Sequence, residues 1–543
     1  MKKSERRIYV FDTTLRDGQQ CPGAGMGFEK NIEYAHLARK LGVDVLEAGF
    51  PSASKAEFEI VNTIATELAS EAGAPIICGL CQLRIEQIEK TIEALLPALP
   101  FGKARLHTYV PVSPALMQAS LGARGSERTQ LIEKTFRYIE VAAKVGVEVQ
   151  FSPEGYSRMG ENFDFTTDLI RAAVSAGATV INCPDTIGGA CKLQGENYFI
   201  RHMEQHADII NKEFPEKDIT WSVHCHNDYG LAVENTVNAI FDGPARQIEG
   251  CVNGIGERAG NASLEQCAMI IQHFAEACDA KNPLFTKINT KMIQIISDFV
   301  SAHMLPRQPH FPISGENSAK HSSGGHTNAI LRDVLAYQAF NPEETGKEVS
   351  LVFGPLSGGN HARKIIEKNG YTCNNDEKAA IAQFVKQAYQ DRRKGITEHE
   401  LMRAYFDYRM PIRVEDLSYS KSENRASVLF TGQFFHRSGS FEGVTEGKDS
   451  ALAALKKAID VEVPGLSIQS HSSESAGAGI SARSISRIVL NTKAGGTFSG
   501  MGEDRDIEIS ALKALIAATN QAYIERNFRS KHQSQGVAHN EAA

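Results

Sequence analysis

The stretch that decides the fold is Thr220-Trp-Ser-Val-His-Cys-His226, then Leu231–Phe241, then Gln247-Ile-Glu-Gly-Cys-Val252. The first and last parts are short runs typical of strands. The middle part carries apolar residues at the i, i+3, i+4 and i+7 spacing of an amphipathic helix. Strand, helix and strand in this order form the unit from which parallel sheets are built. The segment therefore predicts two parallel strands joined by a helix.

The same alternation runs back to the start of the chain. Helical periodicity recurs in Glu29–Leu41 and Gln130–Val145, and Gly42, Gly146 and Gly177 stand where a helix ends in a left-handed residue. Eight strands alternating with helices predict a (β/α)₈ TIM barrel, and an open doubly wound sheet is the alternative. The eight predicted strands are Ile8–Leu15, Val45–Phe50, Ile76–Leu80, Arg105–Pro111, Val147–Ser152, Val180–Pro184, Thr220–His226 and Gln247–Val252.

Polar residues at the ends of the strands favour the barrel. An open sheet gathers its site at one switch point, whereas a barrel builds its site from the carboxyl ends of many strands. Here the polar residues are spread over nearly all the strands: Asp17, Glu47, Arg84, His107, Glu154, Thr186, His224, His226 and Asn261.

The composition is that of an ordinary globular protein and excludes several classes of function. The 543 residues include 58 Lys and Arg against 65 Asp and Glu, a net charge of −7, which is unlike the basic surface of a nucleic-acid-binding protein. Because no apolar run is long enough to span a bilayer, we expect no membrane segment. The basic start lacks the apolar core of a signal peptide, and ten cysteines are too few and too scattered for a disulfide framework. These features predict a cytoplasmic protein.

A metal site is predicted by two histidines in the seventh strand. His224 and His226 lie two residues apart, so their side chains point to the same side of the strand. Such a pair is about as often structural as metal-binding, but Asp17 follows the first strand, which neighbours the eighth when a barrel closes. Asn261 can add an oxygen. Nitrogen and oxygen ligands with open positions suit a catalytic Mg²⁺, Mn²⁺ or Zn²⁺, and the residues do not choose among these ions.

At this point the motifs carry a family resemblance. Phe11-Asp-Thr-Thr-Leu-Arg-Asp-Gly-Gln-Gln20, followed by Pro22-Gly23, resembles the signature of the metal-dependent Claisen-condensing TIM-barrel enzymes, which include the 2-isopropylmalate, homocitrate and citramalate synthases. Further similar motifs follow in the same order: Glu47-Ala-Gly-Phe-Pro51, Phe151-Ser-Pro-Glu154, Pro184-Asp-Thr-Ile-Gly188, His224-Cys-His-Asn-Asp228 and Asn253-Gly-Ile-Gly-Glu-Arg-Ala-Gly-Asn261.

The resemblance implies a reaction between acetyl-CoA and a 2-oxo acid. The methyl group of acetyl-CoA is deprotonated and attacks the keto carbon, and the thioester is then hydrolysed. The implied metal ligands are Asp17, His224 and His226, with Asn261 as a possible fourth, in agreement with the pattern of the residues themselves.

The other roles follow from the same resemblance. Arg16 is expected to stabilise the alkoxide that forms at the keto carbon. Glu154 is expected either to transfer protons or to orient a base. The substrate-binding residues are expected to be His107, Ser152 and Thr186, with Thr186 donating to the substrate carboxylate.

A segment beyond the eight repeats resembles a further element of this family. His321 and His326 in Ser314–His326 match two family histidines with the same separation. This implies that His326 is a general base or the partner of one, commonly acting in the active site of the other protomer, and that Tyr337 helps the hydrolysis. Gly325 and Thr327-Asn328 depart from the family pattern, which puts the identity of the substrate in question more than the reaction.

The sequence predicts three domains and a tail. They are a catalytic barrel (1–285), a helical linker region that completes the active site (286–413), a C-terminal α+β regulatory domain of βαβ character (414–527) and a disordered tail (528–543). The resemblance implies that leucine binds the regulatory domain. Gly500-Met-Gly-Glu-Asp504 resembles its ligand loop, with an ordinary turn as the alternative.

The expected function is that of a 2-isopropylmalate synthase acting on 3-methyl-2-oxobutanoate in leucine biosynthesis, as a homodimer inhibited by leucine. Citramalate and homocitrate synthases are alternatives within the family. A metal-dependent aldolase or acyl-CoA lyase explains the first 285 residues equally well, but not the His321/His326 element. A leucine sensor with an inactive barrel is disfavoured because every expected catalytic position is filled.

Overall fold

The structure of the chain is a computed structural model. It describes residues 7–530 except 123–124, 126, 279–282, 331, 356, 392–394, 448, 477–481 and 494. Two compact units are present. The first comprises the chain up to Ala319 together with Phe340–Glu348, and the second comprises Lys320–Ala339 and the chain from Val349 onward. The predicted tail lies, from residue 531, outside the described residues.

The first unit is built on a closed barrel of eight parallel strands in sequence order, as predicted. β1 closes the barrel against β8, with Tyr9 paired to Gln247 and Asp12 paired to Gly250. The strands are β1 (Tyr9–Asp12), β2 (Val45–Gly49), β3 (Ile76–Gln82), β4 (Ala104–Pro111), β5 (Glu148–Glu154), β6 (Val180–Asp185), β7 (Thr220–Cys225) and β8 (Gln247–Gly250).

Helices surround the barrel and end where the sequence indicates. Gly42, Gly146 and Gly177 follow three of them in the left-handed conformation, with φ of 88°, 91° and 112°. The helices of this unit are α1 (Phe28–Leu41), α2 (Lys55–Leu68), α3 (Ile85–Leu95), the short α4 (Pro114–Leu116), α5 (Arg128–Val145), α6 (Phe163–Ala176), α7 (Phe199–Glu213), α8 (Ala232–Phe241), α9 (Leu264–Cys278) and α10 (Ile293–His303).

The interior of the barrel contains an apolar cluster and a polar cluster. Phe11, Val45 and Cys78, from β1 to β3, form a small apolar cluster. Strands β4, β5, β7 and β8 instead contribute a set of hydrogen-bonded side chains, here termed the interior polar cluster: Arg105, Gln150, Ser222, Gln247 and Glu249.

The second unit contains a helical part and two small sheets. β9 (Lys320–His321) pairs with β10 (Ser350–Leu351) near α11 (Gly324–Ile330), and a helical cluster follows, formed by α12 (Gly359–Lys368), α13 (Lys378–Ala388) and α14 (Glu398–Arg409). The remaining elements are β11 (Ile412–Ser422), β12 (Arg425–Phe434), β13 (Arg437–Glu446), α15 (Ala451–Glu462), β14 (Leu466–Ala476), β15 (Arg483–Thr492), β16 (Thr497–Asp504) and α16 (Ile507–Phe528).

Two predictions for this C-terminal region are wrong in detail. The sequence predicts βαβ units, in which the strands are parallel. The structure instead has two successive groups of three antiparallel strands and a helix, with sheet orders β11-β12-β13 and β14-β15-β16. Short turns such as the one around Gly495 join neighbouring strands as hairpins, and a hairpin pairs its strands antiparallel.

The expected ligand loop Gly500–Asp504 belongs to strand β16. A Cβ atom on Gly500 would lie 2.3 Å from the Ala514 carbonyl oxygen, and one on Gly502 would lie 2.1 Å from the Ser510 carbonyl oxygen. The two glycines therefore serve the close packing of strand β16 on helix α16.

Candidate active site

Three predicted ligands meet at the carboxyl ends of β1 and β7. The Nε2 atoms of His224 and His226 lie 3.2 Å apart, and they lie 3.8 and 4.0 Å from Oδ2 of Asp17. All three residues are buried, and their candidate ligand atoms fall within 4.8 Å of one another. A divalent ion with nitrogen and oxygen ligands fits this arrangement.

Asn261 completes the group from the turn after β8. Its Nδ2 donates to Oδ1 of Asp17 at 2.7 Å, while its buried Oδ1 has no hydrogen-bond partner among the described residues. A Cβ atom on Gly256 would lie 2.2 Å from Nδ2 of Asn261, so glycine is required for this approach. An unpartnered buried oxygen beside Asp17 fits a fourth ligand to a cation.

The electrostatics prepare these groups for metal binding. Burial opposes ionisation of Asp17, but Arg16 and then His224 and His226 lower its pKa well below the usual range. Burial lowers the pKa of His226, and burial together with His226 lowers that of His224 to about 3. At neutral pH the site therefore offers one carboxylate and two neutral imidazoles, the protonation states that ligands require.

Glu47 holds Arg16 in place, a role that the sequence did not reveal. The Nε of Arg16 donates to Oε2 of Glu47 at 2.6 Å, and its Nη1 donates to Asp17 at 2.7 Å. Thr13 also donates to Oε2 of Glu47. Burial raises the pKa of Glu47, but Arg16 and then His107 bring it down to about 2. The sequence motif Glu47–Pro51 points to Glu47 but does not indicate that it pairs with Arg16.

A chain of hydrogen bonds links the predicted substrate-binding residues. His107 Nδ1 lies 2.6 Å from Oε1 of Glu47, and its Nε2 lies 2.7 Å from Oγ of Ser152. Asn182, which was not predicted as a site residue, donates to the same Oγ at 2.9 Å. Glu47 and Ser152 thus hold the two ring nitrogens of His107 between them.

Glu154 and Thr186 line the same cavity as these residues. The Oγ1 of Thr186 accepts a hydrogen bond from Gly155 N at 2.9 Å, which leaves its own proton to donate into the cavity. Burial raises the pKa of Glu154, opposed by Arg16. A carboxyl group whose pKa is moved toward neutrality suits proton transfer.

These side chains enclose a cavity of about 190 Å³. Arg258, a further residue that the prediction missed, closes its rim. The Arg258 guanidinium donates to Asp228 at 3.0 and 3.1 Å and to the Thr186 carbonyl at 2.8 Å. The lining residues are Arg16, Asp17, Gln20, Phe50, Leu80, His107, Tyr109, Ser152, Glu154, Asn182, Pro184, Thr186, His224, His226, Glu257 and Arg258.

Two predicted catalytic residues belong to the second unit. The rings of His326 and Tyr337 stack with centroids 3.9 Å apart and an interplanar angle of 17°, and both side chains are exposed. The His321 ring centroid is 6.4 Å from that of His326, and Nε2 of His321 is 2.9 Å from Gln338 Nε2. The structure thus joins His326 to Tyr337, while the other predicted site residues lie in the barrel.

Known proteins are similar to this chain over nearly its whole length. Residues 7–300 match the HMGL-like family, 313–394 the homocitrate synthase post-HMGL domain-like family, and 440–523 the LeuA allosteric (dimerisation) domain. A 2-isopropylmalate synthase of Aquifex aeolicus is 32% identical over 96% of this chain and 97% of its own length. One of Microcystis aeruginosa is 34% identical over 98% of this chain and 99% of its own length.

The chain belongs to the 2-isopropylmalate synthase family. Among solved structures, an HMG-CoA lyase of Bacillus subtilis is similar with a TM-score of 0.44 and 15% identity, over 56% of this chain and 96% of that chain. The predicted family, barrel fold, acyltransferase class and metal dependence at the level of the family are confirmed. Within the described residues, no helix combines the length and the hydrophobicity needed to cross a membrane.

The buried pair of Glu47 and Arg16 predicts a loss of stability in Glu47→Gln. Removing the carboxylate leaves Arg16, whose side chain is 11% exposed, without its main partner. We expect the free energy of unfolding of the barrel to fall by about 3 kcal/mol at pH 7. Urea unfolding followed by the fluorescence of Trp221, the only tryptophan and a buried barrel residue, measures this directly.

The pH dependence follows from the lowered pKa of Glu47. Its stabilising effect is present above the ordinary value of 4.5 and is lost as the pH falls through about 2. The difference between wild type and Glu47→Gln should therefore stay constant above pH 5 and shrink below it. Glu71→Gln, which breaks the surface pair with Arg39, serves as the control and should cost less than about 1 kcal/mol. Equal losses in the two variants would contradict the assignment.

Proposed function

We propose that the protein condenses acetyl-CoA with 3-methyl-2-oxobutanoate and hydrolyses the resulting thioester, as a 2-isopropylmalate synthase of leucine biosynthesis. The observation that carries this proposal is a single cavity lined by the candidate metal site, a fixed cation and apolar side chains. A metal-dependent lyase on the same barrel would account for the motifs of residues 7–300, but not for the matches at 313–394 and 440–523.

The lining of the cavity favours a branched aliphatic oxo acid. Both guanidinium groups among its lining residues are already paired: Arg16 with Glu47 and Asp17, and Arg258 with Asp228. A second substrate carboxylate would therefore lack a free cation there. Apolar surface is supplied instead by Phe50, Leu80 and Pro184.

The proposed binding of the oxo acid uses groups that are held in advance. Asp17, His224 and His226, with the oxygen of Asn261, would hold a divalent ion, which supplies Lewis-acid polarisation of the keto group when bound. Thr186 donates to the substrate carboxylate, and His107 and Ser152 line the pocket. Arg16 faces the same space, where it stabilises negative charge on the former keto oxygen.

Proton transfer is assigned to Glu154 and to residues of the second unit. Glu154 stands in the cavity with a raised pKa and either exchanges protons with the acetyl group or orients the base. His326, stacked on Tyr337, is proposed as the general base or its partner, with Tyr337 assisting hydrolysis. We also place the enzyme in the cytoplasm as a homodimer, in keeping with the matched dimerisation domain.

A panel of 2-oxo acids tests the substrate. With acetyl-CoA and Mn²⁺ or Mg²⁺, CoA release should be fastest with 3-methyl-2-oxobutanoate. Its two additional carbons, buried against the apolar side chains of the cavity, are worth about 1.6 kcal/mol, or roughly tenfold in kcat/KM over pyruvate. Faster release with pyruvate would indicate a citramalate synthase, and with 2-oxoglutarate a homocitrate synthase. No release with any oxo acid would refute the proposed reaction.

The variant His226→Ala tests the metal site. Loss of one of two imidazole ligands should weaken Mn²⁺ binding by more than about 100-fold and abolish turnover. Calorimetric titration of metal-free protein with Mn²⁺ measures the first effect, and CoA release the second. His273→Ala is the matched control, because this histidine pairs with Glu344 outside the cavity. Wild-type Mn²⁺ affinity in His226→Ala would rule out this ligand.

Leucine is proposed as the effector of the C-terminal region, on the strength of the match to an allosteric domain. The intact chain is the proper sample, because α16 contributes Ile524 to the buried core of the helical cluster, with Phe528 packed against it. A truncation at residue 414 would remove both.

We expect L-leucine to lower the rate of CoA release in a concentration-dependent way. D-leucine, which has the same composition and charge but the opposite configuration, should have no such effect, because a chiral site fixes the amino, carboxylate and side-chain groups separately. Rates that are the same at every concentration of L-leucine would exclude this regulation.

A further inference from the structure

A buried carboxylate lies directly below the candidate metal site. Glu249 on β8 is the register partner of His224 on β7, and both side chains point into the barrel. Glu249 is 1% exposed and His224 is 5% exposed. The chemistry proposed above gives Glu249 no role, yet a buried carboxylate is costly unless its oxygens are used.

One oxygen of Glu249 is held by three donors of the interior polar cluster. Oε1 accepts hydrogen bonds from Ser222 Oγ at 2.7 Å, from Gln150 Nε2 at 2.9 Å and from Gln247 Nε2 at 3.2 Å. Arg105 holds these two glutamines in place, because its Nη1 donates to Oε1 of Gln150 at 3.3 Å and to Oε1 of Gln247 at 2.8 Å. The carboxyl group is therefore anchored from below.

The other oxygen faces the metal site. Oε2 of Glu249 lies 3.8 Å from Nδ1 of His224, and neither atom has a hydrogen-bond partner among the described residues. On the far side of the same ring, Nε2 of His224 faces Asp17 and His226. An imidazole that ligates a cation through Nε2 carries its proton on Nδ1, and that proton needs an acceptor.

We propose that Glu249 is a positioning residue that orients the ring of His224 and keeps its proton on Nδ1, so that Nε2 is free to bind the divalent ion. This inference rests on the proposed metal site. It assigns to the interior polar cluster a function beyond filling the barrel: the cluster fixes one oxygen so that the other is presented to His224.

The isosteric variant Glu249→Gln separates this role from packing. The three donors at the Oε1 position still require an acceptor, so they hold the amide oxygen there and turn the amide NH₂ toward Nδ1 of His224. A donor at that position favours the proton on Nε2, where it blocks metal binding. The shape of the side chain is unchanged, whereas the tautomer of His224 is reversed.

The measurement is Mn²⁺ affinity of the full-length, metal-free protein, followed by the electron paramagnetic resonance signal of free Mn²⁺. We expect Glu249→Gln to bind Mn²⁺ about 10- to 100-fold more weakly than wild type. Its melting temperature in EDTA should stay close to that of wild type. Turnover lost at limiting Mn²⁺ should be restored at saturating Mn²⁺, a rescue that a packing defect does not allow.

Glu213→Gln is the control. The Glu213 carboxylate accepts from Arg171 and has no hydrogen bond to the interior polar cluster. This variant should bind Mn²⁺ as wild type does. Wild-type affinity in folded Glu249→Gln would overturn the inference while leaving the metal site intact. Failure of the wild type to bind Mn²⁺ would overturn the metal site, and the inference with it.

A second variant covers the case in which Glu249→Gln does not fold. Ser222→Ala removes one of the three donors to Oε1 and leaves the charge and all proposed ligands in place. Weaker Mn²⁺ binding at an unchanged melting temperature would support the role of Glu249. Unchanged affinity in that variant would overturn it.

Discussion

The closure of β1 against β8 is the constraint on which the rest of the first unit depends. The pairing of Asp12 with Gly250 brings the turn after β1 next to the turn after β8. Asp17 and Asn261 are separated by 244 residues in the chain, yet closure places them in hydrogen-bond contact. In an open sheet β1 and β8 would not pair, and the carboxylate would not meet the histidines of β7.

Closure also creates an interior that must be filled, and this chain fills it asymmetrically. Phe11, Val45 and Cys78 of β1 to β3 form an apolar cluster, whereas β4, β5, β7 and β8 carry the interior polar cluster. Burying so many polar groups is tolerated because their donors and acceptors are nearly all paired with one another. Among the described residues, four buried side-chain atoms that lack a hydrogen-bond partner lie at the candidate metal site, in His224, His226, Glu249 and Asn261.

The barrel and the grouping of Asp17, His224 and His226 could be predicted because each depends on local spacing. The eight strands follow from periodicity, and His224, His226 and Asp17 follow from their positions at strand ends. The roles of Glu47, Asn182 and Glu249 could not be predicted, since each depends on contacts between strands far apart in sequence. The sequence places Glu47 at the end of a strand, but only the folded barrel shows that it joins Arg16 to His107.

In the C-terminal region, the direction of the strands and the role of the glycines could not be predicted from local sequence patterns. Alternating strand and helix signals predicted βαβ units, but strand order and direction depend on which edges pair, and the structure pairs neighbours antiparallel. The glycines of Gly500–Asp504 resembled a loop because a glycine needed for close packing and a glycine needed for a turn look alike in sequence. Contact with helix α16 decides between them.

The hydrogen bonds in the cavity limit which lining residues can change when the substrate specificity changes. His107, Ser152 and Asn182 are tied to one another and to Glu47, and Arg16 is tied to two carboxylates. A change at any of these positions leaves a buried polar group without its partner, which costs stability as well as binding. Phe50, Leu80 and Pro184 contribute packing surface instead. Substitutions at these three apolar positions should therefore change the accepted oxo acid with the smallest loss of stability. The hydrogen-bonded polar residues can then stay unchanged.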